Sequence, residues 1–136
     1  MEQSIQVLSL QLFNRKARPS FVFSSNNIEI TALFDTGATA PVWCMGEKKF
    51  LKAYPSAIKQ LGTCEISGFG TDAEHGLIYT IPYFKLQDNN SEYVIKNLQL
   101  AVCMHPQIGY DFVMSDTMFS KADTFIYRRG QKKLEI

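Results

Sequence analysis

Long apolar runs are what this 136-residue chain most plainly lacks. No stretch approaches the roughly 20 consecutive apolar residues of a membrane-spanning helix. Met1-Glu2-Gln3-Ser4 is not a basic start leading into a long apolar segment, so no export signal is read there. The expectation is a cytoplasmic protein with no membrane partner. An excess of one charge is missing too: fourteen Lys and Arg stand against thirteen Asp and Glu, a net charge of +1. Such a balance gives no electrostatic footing for nucleic acid, and the basic cluster Arg128-Arg129 with Lys132-Lys133 reads as a solvated hairpin. Cysteine is scarce and odd in number. Cys44, Cys64 and Cys103 are widely spaced without the paired spacing of a zinc site, which leaves them as reduced, mostly buried thiols. His75 and His105 also lack a partner at metal-ligand spacing, so no metal is expected. Internal repeats, low-complexity tracts and linkers are absent. With 46% hydrophobic residues the chain can still bury a substantial core, and a single domain spanning residues 1–136 is expected.

What is present is mostly β-prone. Ile5 to Phe13 shows partial alternation, with Leu8, Leu10 and Leu12 on one face, and Asn14 to Pro19 reads as a polar loop. Phe21-Val22-Phe23 and Ile28 to Phe34 read as strands around a Ser24-Ser25-Asn26-Asn27 turn. Between Glu47 and Leu61, the residues Phe50, Leu51, Tyr54, Ile58 and Leu61 recur at near-helical spacing but Pro55 interrupts them. One or two short helical turns are expected there. Trp43 reads as a core anchor. Further on, Leu77 to Leu86, Tyr93 to Cys103, Thr124 to Tyr127 and Lys132 to Ile136 read as strands; Leu98, Leu100 and Val102 share one face of theirs.

The stretch with chemical content is Asp35-Thr36-Gly37-Ala38, delivered by the apolar run that ends in Leu33-Phe34. Such a strand can hold a carboxylate at the floor of a cleft, and the glycine permits close backbone approach. An Asp-Thr-Gly turn alone is also ordinary loop chemistry. The extended sequence Leu33-Phe34-Asp35-Thr36-Gly37-Ala38 resembles the signature of aspartic peptidases, two apolar residues followed by Asp-Thr/Ser-Gly-Ala/Ser, at every position.

The order of features along the chain is similar to the retropepsin-like branch of that family. Cys64 to Thr71 and Leu77 to Leu86 read as two arms of a hairpin, in which Ser67-Gly68-Phe69-Gly70 resembles the tip or one shoulder of the family's glycine-rich flap. Its glycines would let an arm close over a bound peptide. Val113-Met114 and Met118-Phe119 match the strand and short helix that pack beneath the family's catalytic turn. Two departures stand beside that match: Ser115 where glycine is usual, and Asp116 where many viral members have arginine.

The resemblance implies an all-β, closed barrel with a flap and one or two short helices. Asp35, Thr36 and Gly37 would form the catalytic turn; Ala38, Ser67, Gly68, Phe69 and Gly70 would meet the substrate, a peptide or protein. Peptide hydrolysis of this kind needs two carboxylates sharing a proton, one acting as acid and one as base. No other aspartate here is followed by Thr/Ser-Gly. A C2 homodimer supplies the second carboxylate as Asp35 of the partner, with no cofactor. The chain ends are candidates for an intermolecular sheet. Two alternatives stay open: a dimeric peptide-binding or scaffold module of the same fold that does not cleave, and an unrelated small β-barrel in which Asp35 only caps a turn.

Overall fold

A computed structural model describes residues 9–11, 13–15, 18–35, 38–66, 74–88, 91–106, 109–122, 126–128 and 130–136. In chain order these form β1 (Ser9–Gln11), β2 (Phe13–Arg15), β3 (Arg18–Ser25), β4 (Ile28–Phe34), β5 (Val42–Trp43), helix α1 (Gly46–Ala53), β6 (Ile58–Ile66), β7 (Glu74–Gln87), β8 (Glu92–Cys103), β9 (Phe112–Met114), a 3₁₀ turn (Asp116–Phe119), β10 (Ile126–Arg128) and β11 (Lys133–Glu135). Eight strands make a mixed sheet in the order β2-β3-β4-β9-β5-β8-β7-β6, and β1-β11-β10 make a second, three-stranded sheet. Among the described residues the larger sheet is open, with β2 and β6 at its edges; the closed barrel expected from the sequence is not among these pairings.

The middle of the sheet departs from simple hairpin succession. β4 and β5 follow one another in the chain, yet β9 lies between them, parallel to β4 and antiparallel to β5. The connection between them therefore has to bridge β9, a span of two interstrand spacings or about 10 Å. The crossing lands where the Ala101 amide of β8 donates to the Pro41 carbonyl (3.2 Å).

The main core lies on one face of this sheet. Ile30, Ala32 and Phe34 alternate into it from β4, and Leu98, Leu100 and Val102 from β8. Trp43, Phe50, Tyr54, Tyr79, Phe84 and Phe112 form its aromatic centre, with ring centroids 4.9 Å apart for Phe50 and Tyr79 and 5.8 Å for the stacked Phe84 and Phe112. Trp43 is fully buried, as a core anchor should be, and its indole N–H donates to the Gly46 carbonyl (3.0 Å).

α1 buries Phe50 and Ala53, carries Glu47 in its first turn and Lys52 in its last, and stops before Pro55. Its orphan carbonyls at Lys52 and Ala53 are met by the turn between β3 and β4, which offers the Asn26 side-chain amide (2.9 Å) and the Ser25 hydroxyl (2.7 Å). Asn26 and Asn27 at φ 50° and 62° suit that tight turn.

Two local expectations change. Ile58 and Leu61 do not continue a helix; they lie on β6, an edge strand with an irregular register between Lys59 and Thr63, and Leu61 is 99% exposed. The near-helical spacing was a coincidence across a helix end and a bulge. Within Asn14 to Pro19, read as a loop, Asn14, Arg15, Arg18 and Pro19 pair in the β2–β3 hairpin. Backbone pairing there is blind to side-chain polarity because edge strands tolerate polar residues.

Two measurements test this packing. Phe84→Ala should cost about 3–5 kcal/mol in urea unfolding, against a change within about 0.5 kcal/mol for Leu61→Ser. Tyr79, whose hydroxyl donates to Glu47 Oε2 (2.6 Å), is pushed up from 10.0 to about 12 by burial and by that carboxylate. Its contribution is complete below pH 10.0 and is lost as pH rises toward about 12, because the unfolded chain ionises first. The stability lead of wild type over Tyr79→Phe should therefore shrink across that window, and a constant lead would contradict it.

Candidate active site

β4 carries Asp35 to the end of the crossing. The ladder with β9 continues one step beyond the strands: the Asp35 amide donates to the Met114 carbonyl (2.9 Å), and the Ala38 amide closes the turn on the Asp35 carbonyl (3.2 Å). Asp35 is half-buried and follows Leu33 by strand alternation onto the face opposite the main core. That face has its own small apolar cluster of Leu33, Cys44 and Val113, against which Ala38, Val42 and Tyr110 pack. Leu33, Val113 and Val42 form one row across β4, β9 and β5. The carboxylate thus stands at the end of a strand buried on both faces, which limits how far its backbone can move.

Ser115 follows β9 in an extended conformation (φ −99°, ψ 146°) and is fully buried. Its hydroxyl donates to the Ala38 carbonyl (2.7 Å) and lies 2.7 Å from the Thr117 hydroxyl, and the Thr117 amide donates to it (3.2 Å). It therefore caps the 3₁₀ turn, whose Met118 and Phe119 are buried. The Ser-x-Thr pattern hints at the cap in the sequence, but nothing there reveals the bond to Ala38.

Asp111, on the other side of β9, was no candidate in the sequence. Its carboxylate accepts from the Thr31 amide of β4 (2.8 Å) and pairs with Lys49 of α1 (2.5 Å). Its amide donates to the Thr31 carbonyl (3.0 Å), and its carbonyl accepts from the Cys44 amide (2.7 Å). One residue thereby joins β4, the β5–α1 junction and the start of β9.

Of the other residues expected at the site, Ala38 stands beside Asp35 and half-buried. Thr36, Gly37, Ser67, Gly68, Phe69 and Gly70 lie outside the described residues. The arms expected on either side of Ser67 to Gly70 are present as the antiparallel pair β6–β7, which runs up to Ile66 opposite Glu74. The chain ends meet each other: β1 and β10 both pair with β11 of the same chain, leaving the outer edges of β1 and β10 as the borders of that sheet. His75 and His105 are exposed. Cys44, Cys64 and Cys103 are not joined by disulfides, and the first and last of them are buried. Among the described residues no helix is long and apolar enough to cross a membrane.

A solved structure with this architecture exists. The crystal structure of a retropepsin-like aspartic protease from Rickettsia conorii matches with a TM-score of 0.58 at 15% identity, over 99% of this chain and 94% of that one. The fold is retropepsin-like. No family model matches the sequence, and no curated protein does. At this identity the likeness concerns the backbone, and the chemistry must be argued from the residues at the end of β4.

The Asp111 clamp yields a prediction. Asp111→Ala removes an acceptor from the half-buried Thr31 amide and the partner of Lys49, and should cost about 1–3 kcal/mol in denaturant unfolding. Lys49→Met should cost less, because the Lys49 side chain is more than a third exposed. Equal losses would show that the ion pair, and not the Thr31 bond, does the holding.

Proposed function

We propose that the chain is an aspartic endopeptidase working as a C2 homodimer, in which a water activated between the Asp35 carboxylates of two subunits attacks a peptide carbonyl. The observation that carries this reading is the placement of the one Asp-Thr-Gly-Ala sequence at the crossing over β9 of a retropepsin-like fold. A single such turn is half of a proton-sharing pair, and a two-fold axis passing beside it brings up the other half. One carboxylate then holds the proton and polarises the carbonyl, while its ionised partner takes a proton from the water. The two carboxylates supply both acid and base, so the reaction calls for no metal or organic cofactor.

In this reading Thr36 braces the paired turns across the axis and Gly37 lets them approach. Ala38 and the Ser67-Gly68-Phe69-Gly70 segment between β6 and β7 contact the peptide, with that segment acting as a flap that excludes water. Closure of the sheet into a barrel belongs to the same proposal.

Asp35→Asn tests it. The near-isosteric change should leave fold and dimer intact and abolish cleavage of a peptide library, since two amides can neither share a proton nor activate water. Mixing mutant with wild type should lower activity below simple dilution, through heterodimers with one carboxylate. Sedimentation should give twice the monomer mass. A monomer that cleaves would sink the shared pair; if wild type binds peptides and never cleaves them, the fold serves as a binding module instead.

A further inference from the structure

We propose that Ser115 is a positioning residue for the Asp35 turn, holding the exit of that turn through its bond to the Ala38 carbonyl. The catalytic consequence rests on the peptidase reading above; the tether itself does not.

A serine hydroxyl has one proton and two acceptor sites. The Ala38 carbonyl can only accept, so the bond of 2.7 Å takes the Ser115 proton. The Thr117 hydroxyl, also at 2.7 Å, must then be the donor of its pair, and the Thr117 amide fills the remaining site at 3.2 Å. Every capacity of the hydroxyl is used, and its full burial keeps water from replacing any partner.

The topology makes this bond specific to the turn. Leu33 pairs with Val113 and Phe34 with Met114 on parallel strands, so the next step sets Asp35 beside Ser115, about 4.8 Å between strands. Met114 and Ser115 are consecutive, and they hold opposite ends of the turn: the Met114 carbonyl takes the amide of Asp35 at the entry, and the Ser115 hydroxyl takes the carbonyl of Ala38 at the exit. The entry bond is backbone to backbone and any residue at 115 would leave it in place. The exit bond exists only because a donor side chain stands there. Without it, the 3.2 Å bond from the Ala38 amide to the Asp35 carbonyl is what closes the turn among the described residues. Two such turns must present their carboxylates to one another within a fraction of an ångström, so freedom at the exit becomes misalignment at the carboxylate.

The experiment uses the full chain, a fluorogenic peptide chosen from a cleaved library, and amide hydrogen exchange at Ala38. Ser115→Ala should lower kcat about 10- to 100-fold with KM nearly unchanged, and should speed exchange of the Ala38 amide. Ser115→Thr restores a donor and should recover both. Thr117→Val removes a hydroxyl from the cap while leaving the Ala38 bond, and should alter neither. If Ser115→Ala does not fold, Ser115→Cys, with a weaker donor of similar size, is read the same way. Wild-type kcat and Ala38 exchange in the donor-deficient variant would overturn the proposal, as would an equal loss in Thr117→Val, which would assign the effect to the cap. If wild type cleaves no peptide, the peptidase reading fails, and Ala38 exchange alone decides the tether.

Discussion

The insertion of β9 between β4 and β5 is the constraint on which the rest of this molecule depends. Two successive strands that would otherwise be joined by a tight hairpin are held two interstrand spacings apart, so their connection has to pass over the end of the intruding strand. That connection begins with the only Asp-Thr-Gly sequence in the chain. A turn laid over a strand end finds there a carbonyl that the ladder has not used. The Met114 carbonyl takes the Asp35 amide, and Ser115 supplies from its side chain what the backbone does not. The backbone of Asp35 is placed by long-range pairing.

Such placement requires that β9, three residues long, be held firmly. Its three side chains are all buried, Phe112 and Met114 toward the aromatic core and Val113 toward the smaller cluster. At its start the Asp111 carboxylate reaches β4 and α1; at its end Ser115 caps the 3₁₀ turn. The strand is therefore pinned from both faces and at both ends. The charge at Asp111 sits at the boundary, where Lys49 remains partly in water, so the pair serves geometry more than stability.

The legibility of the chain follows from the range of the interactions. The strand through Phe34 and its acidic turn were readable, because alternation and turn chemistry are local and Asp35 lies at their junction. The buried face of Leu98, Leu100 and Val102 was readable for the same reason. Ile58 and Leu61 misled, since apolar spacing carries no mark of exposure, and an edge strand with a bulge can leave a leucine in water. The role of Asp111 and the bond of Ser115 to Ala38 were not legible. Each depends on a partner across the fold, Thr31 in one case and Ala38 in the other, and no local pattern encodes a bond separated by about 80 residues.

Glycine and serine are two options after β9, and glycine would leave the exit of the turn without a side-chain donor. Serine fills the space with a hydroxyl, and the Ala38 carbonyl takes its proton. The second option makes the position of the turn conditional on the 3₁₀ turn, because the same hydroxyl also accepts from the Thr117 amide. Anything that displaces the Met118 and Phe119 side chains from the core would pull on Ser115 and, through it, on the exit of the Asp35 turn. The apolar anchoring of that short segment is thus part of how the carboxylate is aimed.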